Sequence, residues 1–255
     1  MLQPHSILWH YLWLGPHVLQ AALAVLLFRR GFHKRFPFFL AYLTFEAIEE
    51  IALYGLDVFH LVSAQTWWIV FSAGSIVEGT LKIGVIGEFV SHLLGPRPTL
   101  AGWGRRLISG SGAVFLLLAT LAAAYTQADH TQYALVSRAH ILLQSLYIVG
   151  AGLTLLTFLF AAHYRLAWSH ADFGIALGFG IVFCQHLGAM AIIASGTLVN
   201  RLYLLDLLNM ATYHLCVLIW CYYLLVPQKK TTTSAVSLPE NNLAIWNREL
   251  ERLLR

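Results

Sequence analysis

Five ionisable residues occupy the middles of two stretches that are otherwise apolar. Glu46, Glu49 and Glu50 lie within FPFFLAYLTFEAIEEIALYGL. Glu78 and Lys82 lie within TWWIVFSAGSIVEGTLKIGVIGEFVSHLL, with Glu88 near its end. A charge at the centre of a bilayer costs about 2.5–3.5 kcal/mol on insertion scales, so ionisable groups there pair, or hold protons, ions or ligands. Glu78 and Lys82 are four apart with the acid first, the favourable order for an intrahelical pair. They can neutralise each other simply so that the helix inserts. Glu46, Glu49 and Glu50 then have no Lys or Arg within the inner parts of the spans. A bound proton, a cation, a basic ligand or a protonated histidine must supply the missing charge. Glu49 and Glu50 point about 100° apart on a helix, so both cannot be central, and Glu46 with Glu50 is the favoured pair. Glu88 is expected to be solvated or paired with a loop arginine.

Other polar residues fall at matching depths. His17, Gln185, His186 and His214 join Glu46, Glu50, Glu78 and Lys82 near the midplane. His10, Tyr54, His140, Gln144, Asp206 and Asn209 lie in the outer half. Polar groups in lipid face the bundle interior or a watery cavity, which predicts a polar interior opening, if anywhere, outward. The candidate ligand- or proton-binding set is Glu46, Glu50, Glu78, Lys82, His17, His186, His214, Asp206 and Asn209, the histidines serving as pH-responsive neighbours. No catalytic residue is assigned, because neither a nucleophile motif nor a clustered zinc-binding spacing is present. Haem held by His186 and His214 on successive helices is the one cofactor weighed.

The elements that must carry these groups follow from composition. The chain has 255 residues, 58% hydrophobic and 11% charged, against about 25% charged in ordinary soluble domains. With about 20 apolar residues needed per spanning helix, seven spans are expected, near 7–28, 36–58, 66–93, 107–126, 138–163, 172–197 and 203–226. The fold class is therefore an all-α polytopic transmembrane bundle over 1–227. Ten basic residues fall in the loops of one side: Arg29, Arg30, Lys34, Arg35, Arg97, Arg105, Arg106, Arg165, Lys229 and Lys230. Only Arg138 and Arg201 fall on the other side. The positive-inside rule places the N-terminus outside and the C-terminus in the cytoplasm. The net charge of +4 thus reads as a topology signal rather than as nucleic-acid binding. Gly174, Gly178, Gly180 and Gly188 predict close helix packing in the sixth span. The tail, 228–255, is polar and then amphipathic, with Leu243, Trp246, Leu250, Leu253 and Leu254 at helical spacing. That pattern suits a short helix on the cytoplasmic leaflet or against a protein partner.

Seven helices and an outer N-terminus resemble microbial rhodopsins in topology alone, since the seventh span lacks the lysine that retinal requires. The stretches RRGFHKRFPFFLAYLTFE and GEFVSHLLGPRPTLAGWGRRL resemble a family of uncharacterised seven-helix membrane proteins of acidobacterial type. That resemblance implies a bacterial inner-membrane address and brings no activity with it. The expected function is a sensor-like or carrier-like module responding to protons, a cation or a small ligand. The alternatives are a b-type cytochrome subunit and a structural or assembly subunit.

Overall fold

The computed structural model describes residues 6–95, 134–194 and 202–226, with further helical positions at 102, 106, 110, 112–114, 117 and 251–252. Most of the fourth expected span, most of the tail, and the loop residues Arg97, Arg105, Arg201, Lys229 and Lys230 lie outside the described residues. So do the side chains of Arg138 and His140. The chain forms two compact units, Met1–Leu225 and Val226–Arg255, and the long helices all belong to the first.

Among the described residues every regular element is helical. The helices are α1 (Ile7–Arg29), a single 3-10 turn (Phe32–Lys34), α2 (Pro37–Val58), α3 (Ala64–Leu94), α4 (Ala134–His163), α5 (His170–Ala194) and α6 (Leu202–Leu225). Five of them are long and apolar enough to cross a membrane: α1, α3 and α6, together with α4 from Ile141 and α5 as far as Ile192. The helix α2 has the length but carries three glutamates in two turns, and that charge sets it apart.

Helix starts are written in short-range hydrogen bonds. The hydroxyl of Ser6 accepts from the Trp9 amide at 3.2 Å, and that of Ser63 from the Thr66 amide at 3.2 Å, each satisfying a donor the helix cannot reach. Pro37 opens α2 with a residue that has no amide to lose. The ends of α2 and α4 close with paired bonds, His60 N–H to Asp57 and Leu61 N–H to Leu56, then Arg165 N–H to Ala162 and Leu166 N–H to Ala161. This closure needs a left-handed residue, usually glycine. Here His60 (φ 50°) and Arg165 (φ 49°) adopt it.

The helices form a ring in chain order, with α6 returning to α1, and α3 also reaching α5. Facing residues give their directions. Tyr54, Glu50 and Leu43 of α2 meet His10, Trp13 and Gln20 of α1, so these two run antiparallel. Leu53 and Phe38 of α2 meet Trp67 and Glu88 of α3, again antiparallel. In contrast, α3 and α4 run the same way. Tyr147 lies beside Lys82, and Trp168, just past the end of α4, packs on Phe89 near the end of α3. On α5, Gly174 and Gly178 present bare backbone to Tyr223 and Trp220 of α6, and a β-carbon at either glycine would collide with those rings. The small residues of this helix therefore serve close packing.

The outer surface of the helices is apolar, and several polar and charged residues lie inside. His17, Gln20, Glu46, Lys82 and Thr154 are buried, whereas Val18, Val25, Ile48, Ile148, Leu155, Leu208 and Leu215 are exposed. An aromatic core of Phe39, Tyr42, Phe179, Phe183 and Trp220 fills the centre. Its rings meet at 5.1–5.5 Å for Tyr42–Phe179, Phe179–Trp220 and Phe39–Trp220, within the span favoured by aromatic pairs.

Candidate functional site

Lys82 is the centre. It is buried and paired, one turn along α3, with Glu78. Its Nζ lies 5.0 Å from the Tyr147 ring centre and 5.7 Å from that of Tyr42. Both distances suit attraction between a cation and a π face. Tyr147 is in turn stacked on His186, with ring centres 4.0 Å apart. The imidazole is oriented by Val182, whose carbonyl is 3.1 Å from Nδ1. The ammonium is thus gripped from α2, α3 and α4, with α5 behind.

Glu46 of α2 enters the same group. Its side chain is buried beside the Glu78–Lys82 pair, and its Oε2 has no hydrogen-bond partner among the described residues. Glu46, Glu78 and Lys82 together comprise two acids and one base, so one acid is in excess.

Glu50 and Glu49 leave α2 in different directions. Glu50 Oε2 accepts a 2.8 Å bond from the indole N–H of Trp13 on α1. The carboxylate of Glu49 fills the notch on α3 where Gly74 lacks a side chain. Both are half-buried. Spacing along the sequence favours Glu50 over Glu49. The structure instead holds both against neighbouring helices, one on each side of Glu46, because two flanking helices receive the two directions.

A second layer joins α1, α2 and α6. The Tyr213 hydroxyl donates to Gln20 Oε1 at 2.7 Å and lies 3.2 Å from the Tyr42 hydroxyl, while Gln20 Nε2 donates to the Leu43 carbonyl at 3.1 Å. His17 is buried, its Nδ1 2.6 Å from the Trp13 carbonyl and its ring stacked on Tyr213 with centres 5.2 Å apart. Further out, the Tyr54 hydroxyl and His10 Nδ1 are 3.1 Å apart. A polar file therefore runs from His10 and Tyr54 past Trp13 and Glu50 to Glu46, Glu78 and Lys82. The aromatic core closes its far end.

Of the candidate residues, Glu46, Glu50, Glu78, Lys82, His17 and His186 assemble in this file and its surroundings. His214 lies on α6 against Tyr11, with ring centres 5.8 Å apart and a buried Nδ1 without a hydrogen-bond partner among the described residues. Asn209 is half-buried with an unpartnered Oδ1. Asp206 is exposed on α6 and is not drawn in. The rings of His186 and His214 take different neighbours, Tyr147 on α4 and Tyr11 on α1. Among the described residues no three histidine, cysteine or acidic side chains group as a metal site. Trp13, Gln20, Tyr42 and Tyr213 join the site without having been expected there from the sequence. The one available signal was Gln20, an amide in an apolar helix.

At the opposite end of α2 and α3 the acids do structural work. Glu88 accepts from the Phe38 amide at 2.7 Å and the Phe39 amide at 3.0 Å, so its carboxylate caps α2 rather than pairing with a loop arginine. The free amides and positive end of that helix draw it there. Asp172 accepts from Arg35 at 3.2 Å and from the hydroxyl of Ser169, with His92 Nδ1 at 3.1 Å on its other oxygen. Arg35 is half exposed, so that ion pair adds little. Comparison with protein-family models, curated proteins and solved structures returns no match for this chain.

Proposed function

We propose that the chain is a seven-span protein of a bacterial inner membrane, N-terminus outside and C-terminus cytoplasmic, whose polar interior takes up a proton or small cation from the outer side. It acts as a sensor-like or carrier-like module. The apolar outer surface and the charged residues buried inside support the membrane reading. The shared direction of α3 and α4 supports a further span, because a chain leaving α3 at Leu94 must recross to start α4. The cluster of Arg29, Arg30, Lys34 and Arg35 beyond α1 supports the orientation. The tail is assigned to the cytoplasmic leaflet or a protein partner.

One observation carries the site. Glu46 is buried beside the Glu78–Lys82 pair with an oxygen that no described residue satisfies, and an acid in that position needs a counter-charge. The test is the melting temperature of the purified protein in detergent across a pH series, with and without added Na⁺ or K⁺, for wild type, Glu46→Gln and Glu50→Gln. Wild type is expected to show a pH- or cation-dependent step that Glu46→Gln removes and Glu50→Gln leaves in place. Identical profiles for wild type and Glu46→Gln would favour a purely structural subunit, and a Soret band in the purified protein would favour haem held by His186 and His214.

A further inference from the structure

The turn that joins α2 to α3 holds chemistry that the polar file does not use. A cavity of about 330 Å³ lies between the last turn of α2, the loop and the first turns of α3, bounded by Leu56, Asp57, His60, Val62, Trp67 and Trp68. That volume is at the lower end of the range for small-ligand sites. Its walls are fixed locally. The paired bonds from His60 and Leu61 close α2, and Ser63 caps α3 through the amide and hydroxyl of Thr66. The indole N–H of Trp67 reaches back to the Leu53 carbonyl at 3.4 Å.

The lining combines an acid with aromatic surface. Asp57 is half-buried, and its carboxylate takes no hydrogen bond and no ion pair from any described residue. By contrast, Glu50, Glu78, Glu88 and Asp172 are each engaged. None of the lining residues is a lysine or an arginine, so the charge of Asp57 is left for an occupant to meet. Trp67 is stacked on Phe71 with ring planes 6° apart, and Trp68 stands at 89° to Trp67 with centres 5.1 Å apart. The two indoles therefore present π surface in two directions. Tryptophan attracts cations more strongly than the other aromatic side chains, and groups of such rings form the cages that hold alkylammonium ligands. The carboxylate adds acceptor oxygens and the counter-charge. An anion would be repelled by Asp57. A hard metal ion takes about six oxygen ligands, and this lining has a single carboxylate.

We infer that this cavity binds a small alkylammonium group, its nitrogen on the Asp57 carboxylate and its alkyl substituents against Trp67 and Trp68. In the orientation proposed above it lies at the outer interface, where that group can come from a free amine or from the headgroup of an aminophospholipid. Tryptophans at an interface also serve as anchors in the headgroup layer, but anchoring needs no acid and no saturable amine. The cavity shares no residue with the Glu46 site, so the two proposals fail independently.

The test is saturation-transfer NMR on the methyl signal of choline, titrated onto the full-length protein in dodecyl maltoside. A saturable signal is expected, displaced by ethanolamine but not by dimethylbutanol, the uncharged carbon isostere of choline, nor by potassium chloride. Asp57→Asn should weaken choline binding about tenfold, and Trp68→Leu about fivefold, with Trp68→Tyr falling between wild type and Trp68→Leu. Trp68 is exposed and Asp57 has no bonded partner among the described residues, so the unliganded variants should melt as wild type does. Nanodiscs of constant phosphatidylglycerol content, completed with phosphatidylethanolamine or with a neutral galactolipid, separate the two sources. A choline signal lost only in the phosphatidylethanolamine discs supports the site and assigns it to a lipid headgroup, and equal signals support it and assign it to a free amine. The proposal is overturned by the absence of a choline signal, by titrations that Asp57→Asn and Trp68→Leu leave unchanged, or by displacement with dimethylbutanol or potassium as effective as that with ethanolamine.

Discussion

Lys82 can neutralise one acid, and it has two beside it. Coulomb attraction holds it to Glu78, while Tyr42 and Tyr147 replace with ring faces the water it has lost. Removing the cation would strand a buried carboxylate, so Lys82→Met is expected to destabilise the protein by about 3–5 kcal/mol. The double variant Glu78→Leu with Lys82→Met should recover most of that loss, because an apolar pair has no charge to desolvate. Unfolding titrations in mixed detergent with rising SDS would check both. The charged members of this site were legible in the sequence because a charge in an apolar run is costly enough to be conspicuous. The tyrosines were not. Tyr42 and Tyr213 are 171 positions apart, and a tyrosine in an apolar helix carries no mark telling a core ring from a site hydroxyl. Asp206, expected in the outer half of the polar interior, is exposed on α6.

Among the elements, α2 has the most unusual supports. Its first free amides are closed by Glu88, fifty positions later in the chain, and its last turn is closed by His60 in a left-handed conformation. Glu88→Gln keeps one acceptor but loses the charge facing the helix dipole, and should cost about 1 kcal/mol. His60→Gly relieves the left-handed backbone and should stabilise by about 0.5–1 kcal/mol, net of the entropy glycine adds to the unfolded chain. Melting temperatures of the two single variants separate the effects by sign. Helix positions along the chain were readable from the apolar runs within a few residues, as for α2 over Pro37–Val58 against 36–58. The cap was not readable, because its target is backbone and backbone has no letter code. The glycines of α5 announced close packing, and only the fold disclosed Trp220 and Tyr223 as the rings they admit.

For the whole molecule, the basic loops make the sharpest forecast. In intact cells, a cysteine placed at Lys34 should resist a membrane-impermeant maleimide and one at His60 should react. Both positions are exposed, and permeabilising the cells should make Lys34→Cys react as well. Reaction of Lys34→Cys in intact cells would reverse the assigned orientation. The three glutamates of α2 also have a consequence for how the protein is made. With insertion costs of about 2.5–3.5 kcal/mol for each central charge, this helix has little reason to leave the translocon alone. Among the described residues, Glu50 is met by Trp13 upstream, while Glu46 lies beside Lys82 and Glu49 against Gly74 downstream, so α1, α2 and α3 should enter the bilayer as a group. A nascent chain released after α2 would lack the lysine and should be returned to the quality-control proteases.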